Sequence, residues 1–350
     1  MNIDKRILDL QKKCNYQFKN YDFKLKYIHK IKKSDADLTI IIPCYNTGKY
    51  LFQCVKSCMN QQTSFRYNVI VVNDGSTDDT LKVLKKLKKI DKKNLLTIIN
   101  TENGGVARAR NIALNMPLGK YVMFVDSDDS ISRNSLQVLL EESDGFLYDI
   151  VEGSYYNYNE IFWIKVKKFM KHKAGVYQNF KRAKLTGYPW GKIIKRELFE
   201  NIYFPVGLWY EDTIITYLIY PKASKIKTIP NVIYERRMSD TSITRNAKNI
   251  LKRVDNFWVL YEIFEYIDTF QTVDKDILYE QTVYQLGIMY KLRNSILDNN
   301  VRKLIFDASC YLFTNEYPKA KNISDTLLSN LDKCLRNKDF NEFERILKIK

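Results

Sequence analysis

The 350-residue sequence has almost no histidine, two residues in all, and its six cysteines include no CxxC pair. His29 precedes the first strand signal and His172 lies in a lysine-rich segment, so both read as surface residues and a histidine-based nucleophile triad has little to build on. Cys14, Cys44, Cys54, Cys58, Cys310 and Cys334 suggest neither a zinc site nor a disulfide framework. Cys54 and Cys58, one helical turn apart, read as small core hydrophobes, and reduced thiols fit a cytosolic setting. No apolar run approaches the about 20 residues that span a bilayer, and the segment from Met1 to Arg6 lacks the apolar stretch of a signal peptide. The expectation is a cytoplasmic protein, soluble or peripheral at the inner face of a membrane. Glycine-rich phosphate loops are missing as well: neither GxxxxGK[ST] nor GxGxxG occurs.

What is present is a globular composition, 45% hydrophobic, with a formal net charge of +17. That charge favours a polyanionic partner, whether nucleic acid, an anionic membrane surface or a phosphate-bearing substrate. Part of it is solvated helix face, as from Lys82 to Lys93, where Leu81, Leu84, Leu87 and Ile90 form an apolar stripe between lysines.

Residues 1–37 are lysine-rich and helix-compatible and read as an N-terminal helical extension. Leu38 to Ile42 is a β-branched run stopped by Pro43, the signature of a buried strand. Leu51, Cys54, Val55 and Cys58 then recur at helical spacing, and Asn68 to Val72 is a second apolar strand. Ser76 or Thr77 can cap a helix running through Lys88. Leu95 to Ile99 reads as a strand, Gly105 to Asn115 as a helix, and Tyr121 to Val125 as a strand that ends in acidic residues. Such alternation predicts an α/β fold, a mostly parallel Rossmann-like sheet with helices on both faces.

Beyond residue 150 the pattern loosens into aromatic and basic pieces, then Tyr188-Pro189-Trp190-Gly191-Lys192. From residue 246 the signal is helical to the end; Phe257, Leu260, Tyr261, Phe264 and Ile267 form one stripe, read as bundle core. The predicted organisation is therefore 1–37, a sheet domain over 38–245, and a helical region over 246–350.

Ligands of open α/β sheets sit beyond the carboxyl ends of the strands. At those ends lie Pro43-Cys44-Tyr45-Asn46, Asn73-Asp74-Gly75-Ser76 and Asp126-Ser127-Asp128-Asp129. Asp126 and Asp128, alternate positions at a strand end, can project to one side, where paired carboxylates suit a hard divalent ion that also binds diphosphate. Helix-capping acids before Arg133 would look the same. Asp74 could accept from a base or a ribose, although Asp-Gly is also a common turn dipeptide. Arg110 could reach phosphate or pair with the acidic run. Glu211 and Asp212 follow Trp209-Tyr210, which could raise the basicity of one carboxylate enough to deprotonate a hydroxyl; two acids before Thr213 also make a good helix start.

Together these motifs resemble the family 2 glycosyltransferases of the GT-A fold. The similarity runs from Ile40-Ile41-Ile42-Pro43-Cys44-Tyr45-Asn46 and Val71 to Asp78, through Asn103 to Asn111, to Gly119 to Asp129. It continues in Trp190-Gly191-Lys192, Lys195 to Phe199, Glu211-Asp212-Thr213, and Arg237 with Ser239 to Thr244. The resemblance implies an inverting enzyme using a nucleotide-sugar donor, commonly a UDP-sugar. Pro43, Tyr45, Asn46, Asp74, Arg110, Asp126 and Ser127 would bind the donor nucleotide, and Asp128 the metal, Mn²⁺ or Mg²⁺, of a DxD motif. Asp212 would be the catalytic base, and Trp190, Lys192, Trp209 and Glu211 would border the donor or acceptor pocket. The implied acceptor is a surface glycan or a lipid-linked hydroxyl. Membrane association or self-association would fall to the helical ends, and no nucleic acid partner is expected. Asn73 stands where many relatives carry an acid, and Ser239-Asp240-Thr241-Ser242 is a looser version of the family's late loop.

Competing readings are a nucleotidyltransferase, which the lack of a glycine-rich basic loop after the first strand disfavours, and a basic RNA- or membrane-binding module. Ordered acidic motifs at strand ends fit the latter poorly.

Overall fold

A lysine-rich helix, α1 (Lys5–Cys14), precedes the first strand, burying Ile7 and Leu10 and exposing its basic face. The computed structural model describes residues 5–14, 32–161, 164–178, 180–238, 250–264, 275–316, 323 and 325–349. His29, Phe162, Trp163, Ile267 and the loop from Ser239 to Thr244 lie outside them. The chain divides into two units: Asp22–Gly207 with Leu218–Asn246, and Met1–Tyr21 with Leu208–Tyr217 and Ala247–Lys350. Residues 208–217, placed by the sequence within the sheet domain, thus belong to the helical unit.

The sheet unit is built on β1 (Leu38–Cys44), buried along its whole length. After it come α2 (Gly48–Met59), β2 (Tyr67–Asp74), α3 (Thr80–Ile90), β3 (Leu96–Thr101), α4 (Val106–Leu114) and β4 (Tyr121–Phe124). β1 pairs in parallel with β2 and with β4, and β2 with β3. β1 runs on through Pro43, where the sequence suggested a stop. The β4 ladder ends at the Ile41–Phe124 pair, so Pro43 needs to satisfy only the β2 side. α3 likewise starts later than expected, after Asp79, because the candidate caps are engaged elsewhere. The Ser76 hydroxyl accepts from the Asn46 backbone, and the Thr77 N–H donates to the Asn46 side chain.

The second half of the sheet comprises β5 (Ser130–Ile131), β6 (Ile150–Ile161), β7 (Ile164–Met170), β8 (Gly175–Tyr177), β9 (Lys192–Lys195) and β10 (Ile226–Arg237), with helix α5 (Ser135–Glu141) after β5. The ten-stranded order is β3-β2-β1-β4-β9-β6-β10-β5, with β7 on β6 and β8 on β10. β9 is antiparallel to both β4 and β6, while β6 and β10 are parallel. This is a mixed, mostly parallel sheet with helices, of the GT-A type. Its core gathers Ile40, Ile42, Leu51, Cys54, Val71, Leu84, Met123 and Trp190, all buried.

The helical unit contains α6 (Asp255–Phe264), α7 (Lys275–Tyr284), α8 (Tyr290–Asn294), α9 (Asn299–Glu316), α10 (Thr326–Asn337) and α11 (Phe340–Leu347). Asp325 and Asp339 cap α10 and α11 by accepting from Leu328 and Glu342 N–H groups at 3.0 Å. Phe257, Leu260 and Phe264 are buried as a bundle stripe should be. No helix among the described residues is long and apolar enough to cross a membrane.

Candidate active site

β4 ends at Phe124, and the chain turns through Asp126–Asp129 before β5 pairs antiparallel with β10 at Tyr234 and Glu235. That pairing brings β10 side chains under the acidic run. The buried Tyr234 hydroxyl accepts from the Asp126 N–H at 3.0 Å and donates to the Asp129 carboxylate at 2.7 Å. The other Asp129 oxygen accepts from the Arg237 N–H at 2.7 Å, and Arg237 Nε donates to the Asp128 carbonyl at 3.0 Å. Arg237 is itself steadied by Gln53 at 3.1 Å and by the Tyr50 and Tyr158 rings, 4.5 and 4.8 Å away. Four backbone and side-chain positions of one turn are thus fixed by two residues of one strand.

The carboxylates of the run are not equivalent. Asp129 is buried, and its two oxygens are committed to Tyr234 and Arg237; burial, then the Asp126 and Asp128 charges, push it well above the usual carboxylate range. Asp126 is half-buried and receives Arg110 Nη2 at 3.3 Å. Arg110 is buried between Phe124 and Phe204, with ring distances of 5.9 and 5.2 Å, so its charge is placed by α4 and held by aromatic faces. Burial and the neighbouring Asp126 charge raise Asp128 too, against the lowering effect of Arg237 and Arg236. Ser127 is buried between them.

The adjoining strand ends are built from tight loops. Asp74 is buried and grips the turn after β3: its Oδ1 accepts from Gly104 N–H at 2.9 Å and its Oδ2 from Gly105 N–H at 2.7 Å. Gly75 has φ of 72°, and a Cβ there would lie 2.5 Å from the Asn103 nitrogen, so only glycine allows the loops to close. Asn46, at φ 51°, accepts from Thr77 N–H at 2.8 Å and ties the β1 loop to the β2 loop. Pro43 is buried at the end of β1, whereas Tyr45 is 48% exposed beside it, an aromatic face open to a ligand. Pro43, Tyr45, Asn46, Asp74, Arg110, Asp126, Ser127 and Asp128 therefore all lie in the sheet unit, at or beside the ends of β1, β2 and β4.

Trp190 and Lys192 are placed differently from a pocket lining. Trp190 is buried in a stack, its ring 4.5 Å from Tyr188 on one side and 4.5 Å from Tyr234 on the other, with Tyr155 edge-on at 4.9 Å. It supports Tyr234, and through it the acidic run. Lys192 is fully buried, ion-paired to Glu152 and bonded to Thr186 and Tyr220. His172, expected at the surface, is mostly buried and meets the same Glu152 at 2.8 Å. Burial raises Glu152, but the Lys192 charge and the hydrogen bond with His172 hold it below its ordinary value. A lysine and a histidine thus share one buried carboxylate.

In the helical unit, Trp209 N–H donates to Asp255 at 2.8 Å, and Tyr210 adopts a left-handed φ of 66°. Glu211 and Asp212 follow, partly buried, ahead of the Thr213 N–H that closes back onto the Tyr210 carbonyl at 3.0 Å. Cysteine chemistry is disfavoured by environment: burial pushes Cys44 and Cys310 up to about 12.

Among the described residues no group of three or more His, Cys, Asp or Glu side chains could by itself hold a metal ion. A hard divalent ion is still compatible with Asp128 and Asp126, since such ions keep waters and substrate phosphate oxygens in their shell. Two crowded carboxylates, one with a raised affinity for protons, are a donor set that a cation would relieve. Tyr234 carries no signal in the sequence, and Arg237 stands out there only as part of the resemblance; neither residue type marks a site when it lies in a strand.

Comparison with known proteins accords with this geometry. A family model described as Glycosyl transferase family 2 matches residues 39–203. The chain is 32% identical over 224 residues to glycosyltransferase GlyG of Streptococcus pneumoniae serotype 4, a match covering 59% of this chain and 73% of that protein. It is 31% identical over 224 residues to GlyA of the same organism, covering 60% of this chain and 32% of that one. In fold it is similar to S. aureus TarS residues 1–349, solved in complex with UDP-GlcNAc, with a TM-score of 0.67 and 23% identity over 89% of this chain and 90% of that chain.

Proposed function

The chain belongs to glycosyl transferase family 2, and from that premise we propose that it transfers a sugar from a UDP-sugar to a hydroxyl of a surface glycan or lipid-linked acceptor, with metal assistance and inversion of configuration. The observation that carries the reading is the division of roles in the acidic run. Asp129 is committed to Tyr234 and Arg237, and Asp126 is paired with Arg110. Asp128 is left with a carboxyl whose charge is disfavoured until a cation joins it. UDP as the nucleotide is suggested by the ligand of TarS, and the exposed Tyr45 ring offers a surface for a base.

Asp128, with Asp126 beside it, would hold Mn²⁺ or Mg²⁺, which supplies neutralising charge to a departing diphosphate. Arg110 holds Asp126 in place, and the Tyr234 and Arg237 scaffold fixes the turn, so little reorganisation accompanies reaction. Asp212 accepts the acceptor hydroxyl proton; the oxygen attacks the anomeric carbon opposite the diphosphate, the glycosidic bond forms as the sugar–phosphate bond breaks, and configuration inverts. The net charge of +17 suits a phosphate-bearing donor and an anionic acceptor or membrane surface.

The test is thermal stabilisation by UDP, GDP, CDP, ADP and UDP-N-acetylglucosamine, each with and without Mn²⁺. A ligand bound by the native state raises the apparent Tm. Uridine nucleotides with Mn²⁺ should give the largest rise; equal rises for every nucleotide, or none dependent on the ion, would count against the proposal.

A further inference from the structure

The turn carrying Glu211 and Asp212 is backed by the C-terminal helices, and the backing converges on one cation. Arg293, in α8, lies with its guanidinium 4.1 Å from the Tyr210 ring and donates to the Thr213 hydroxyl at 3.2 Å. It therefore grips the residues on both flanks of the carboxylate pair. It donates also to Asn256 near the start of α6, and its own carbonyl accepts from Arg253 at 3.0 Å. The neighbouring residue of α6, Asp255, takes the Trp209 N–H at 2.8 Å.

Electrostatics point the same way. Arg293 is partly buried, which lowers its affinity for its proton, and the carboxylate charges that oppose this are those of Asp212, then Glu211. A guanidinium keeps its charge when buried, and nearby carboxylates offset the cost of removing it from water, so the attraction orients both partners. Tyr210 meanwhile holds a left-handed backbone, unusual for an aromatic residue, which persists only where its surroundings over-determine it. The ring contact with Arg293 and the anchoring of the adjacent Trp209 N–H on Asp255 provide that determination.

We propose that Arg293 is a positioning residue for the Asp212 carboxylate, and that Arg293, Asp255 and Asn256 form a brace by which the C-terminal helices set the geometry of the base. The proposal rests on the reading of Asp212 as the base and adds to it a role for a region outside the family match at residues 39–203.

The decisive experiment compares Arg293→Met, Arg293→Lys and Asp212→Asn in the full chain by two readouts. Hydrogen–deuterium exchange over residues 208–217 needs neither donor nor acceptor. Arg293→Met should accelerate exchange at the hydrogen-bonded Trp209 and Thr213 amides while the other C-terminal helices keep their protection, with Arg293→Lys between. The second readout is UDP release from UDP-N-acetylglucosamine with Mn²⁺, water serving as acceptor. Arg293→Met should lower its kcat about 10- to 100-fold, the loss expected of a misplaced catalytic group, with the KM for donor unchanged. The Asp212→Asn/Arg293→Met double variant should be no slower than Asp212→Asn alone, because the second change acts through the first. Unchanged exchange over 208–217, general loss of protection across the helices, or multiplied losses in the double variant would each overturn the brace. Wild-type release by Asp212→Asn would remove the base reading instead, leaving the exchange result to decide whether Arg293 holds the turn. Should Arg293→Met fail to fold, Arg293→Lys keeps the cation without the fork, and an unaltered exchange and kcat in it would equally sink the proposal.

Discussion

The two acidic clusters of this protein are held by opposite means. In the sheet unit, the Asp126–Asp129 turn is held largely by the Tyr234 hydroxyl and the Arg237 N–H of β10, with Arg110 paired to Asp126, and burial with the neighbouring carboxylates still raises the proton affinity of Asp128 and Asp129. In the helical unit, Glu211 and Asp212 sit with a cation, Arg293, whose charge they compensate. A buried run with more carboxylates than cations suits a visiting divalent ion and diphosphate; a pair set beside a resident arginine suits a carboxylate held in place to accept a hydrogen bond from a hydroxyl. The chemistry proposed for each follows from this difference in partners more than from the carboxylates themselves.

The comparison predicts the largest effects where the roles are direct. Asp128→Ala should lower UDP release from a UDP-sugar at least about 10³-fold and erase the Mn²⁺-dependent part of nucleotide stabilisation, because loss of preorganised charge stabilisation has this magnitude. Asp212→Asn should lower release about 10²- to 10⁴-fold, the range for a general base, yet leave nucleotide stabilisation intact. If both variants lose nucleotide stabilisation together, the contrast between the clusters collapses and Asp212 is structural.

A smaller effect tests the scaffold. Tyr234→Phe keeps the ring between Trp190 and its neighbours but removes the hydroxyl, leaving a buried Asp129 oxygen and the Asp126 N–H without their partner. It should destabilise the protein by about 1–3 kcal/mol in urea unfolding, the cost of an unsatisfied buried polar group. Unaltered stability would mean that solvent replaces the hydroxyl and that the turn is looser than described.

The smallest effect is on the pH dependence of stability. Asp128 and Asp129 are raised in the folded state above the ordinary value of 3.8, so the folded state binds more protons than the unfolded state between the ordinary and the raised values. Their contribution to stability should therefore grow as pH falls through the raised values and fade as pH rises above them, with a slope of at most about 1.4 kcal/mol per pH unit for each proton taken up. Urea unfolding without divalent ions should show this slope, and Asp128→Asn should flatten it; the same slope in that variant would place its origin elsewhere.

Legibility in the sequence followed local pattern. β1 to β4 and their helices were readable because each strand is a short β-branched or apolar run punctuated by glycine, asparagine or proline, and β1, β2 and β4 are buried along most or all of their length while β3 is the partly exposed edge. β6 to β10 were not, since β6 carries Tyr155, Tyr156, Asn157 and Tyr158, a stretch equally at home in a loop, and β9 spans only Lys192–Lys195. The candidate site divided in the same way. Asp74, Asp126 and Asp128 announce themselves by standing at strand ends. Trp190 and Lys192 announce themselves too, but their setting, a stacked core ring and a buried ion pair, is visible only in the structure.

What the sequence by itself determined is the parallel half of the sheet and the acidic residues at its edge, because period, β-branching and turn chemistry are local properties of the chain. Only the tertiary structure decided which carboxylate is free to take which role. Tyr234 and Asp129 are 105 positions apart, and Arg293 and Thr213 are 80 apart. No local pattern encodes such pairs; they exist because β5 docks on β10 and because α8 reaches the 208–217 turn, and a carboxylate acquires its proton affinity from those neighbours.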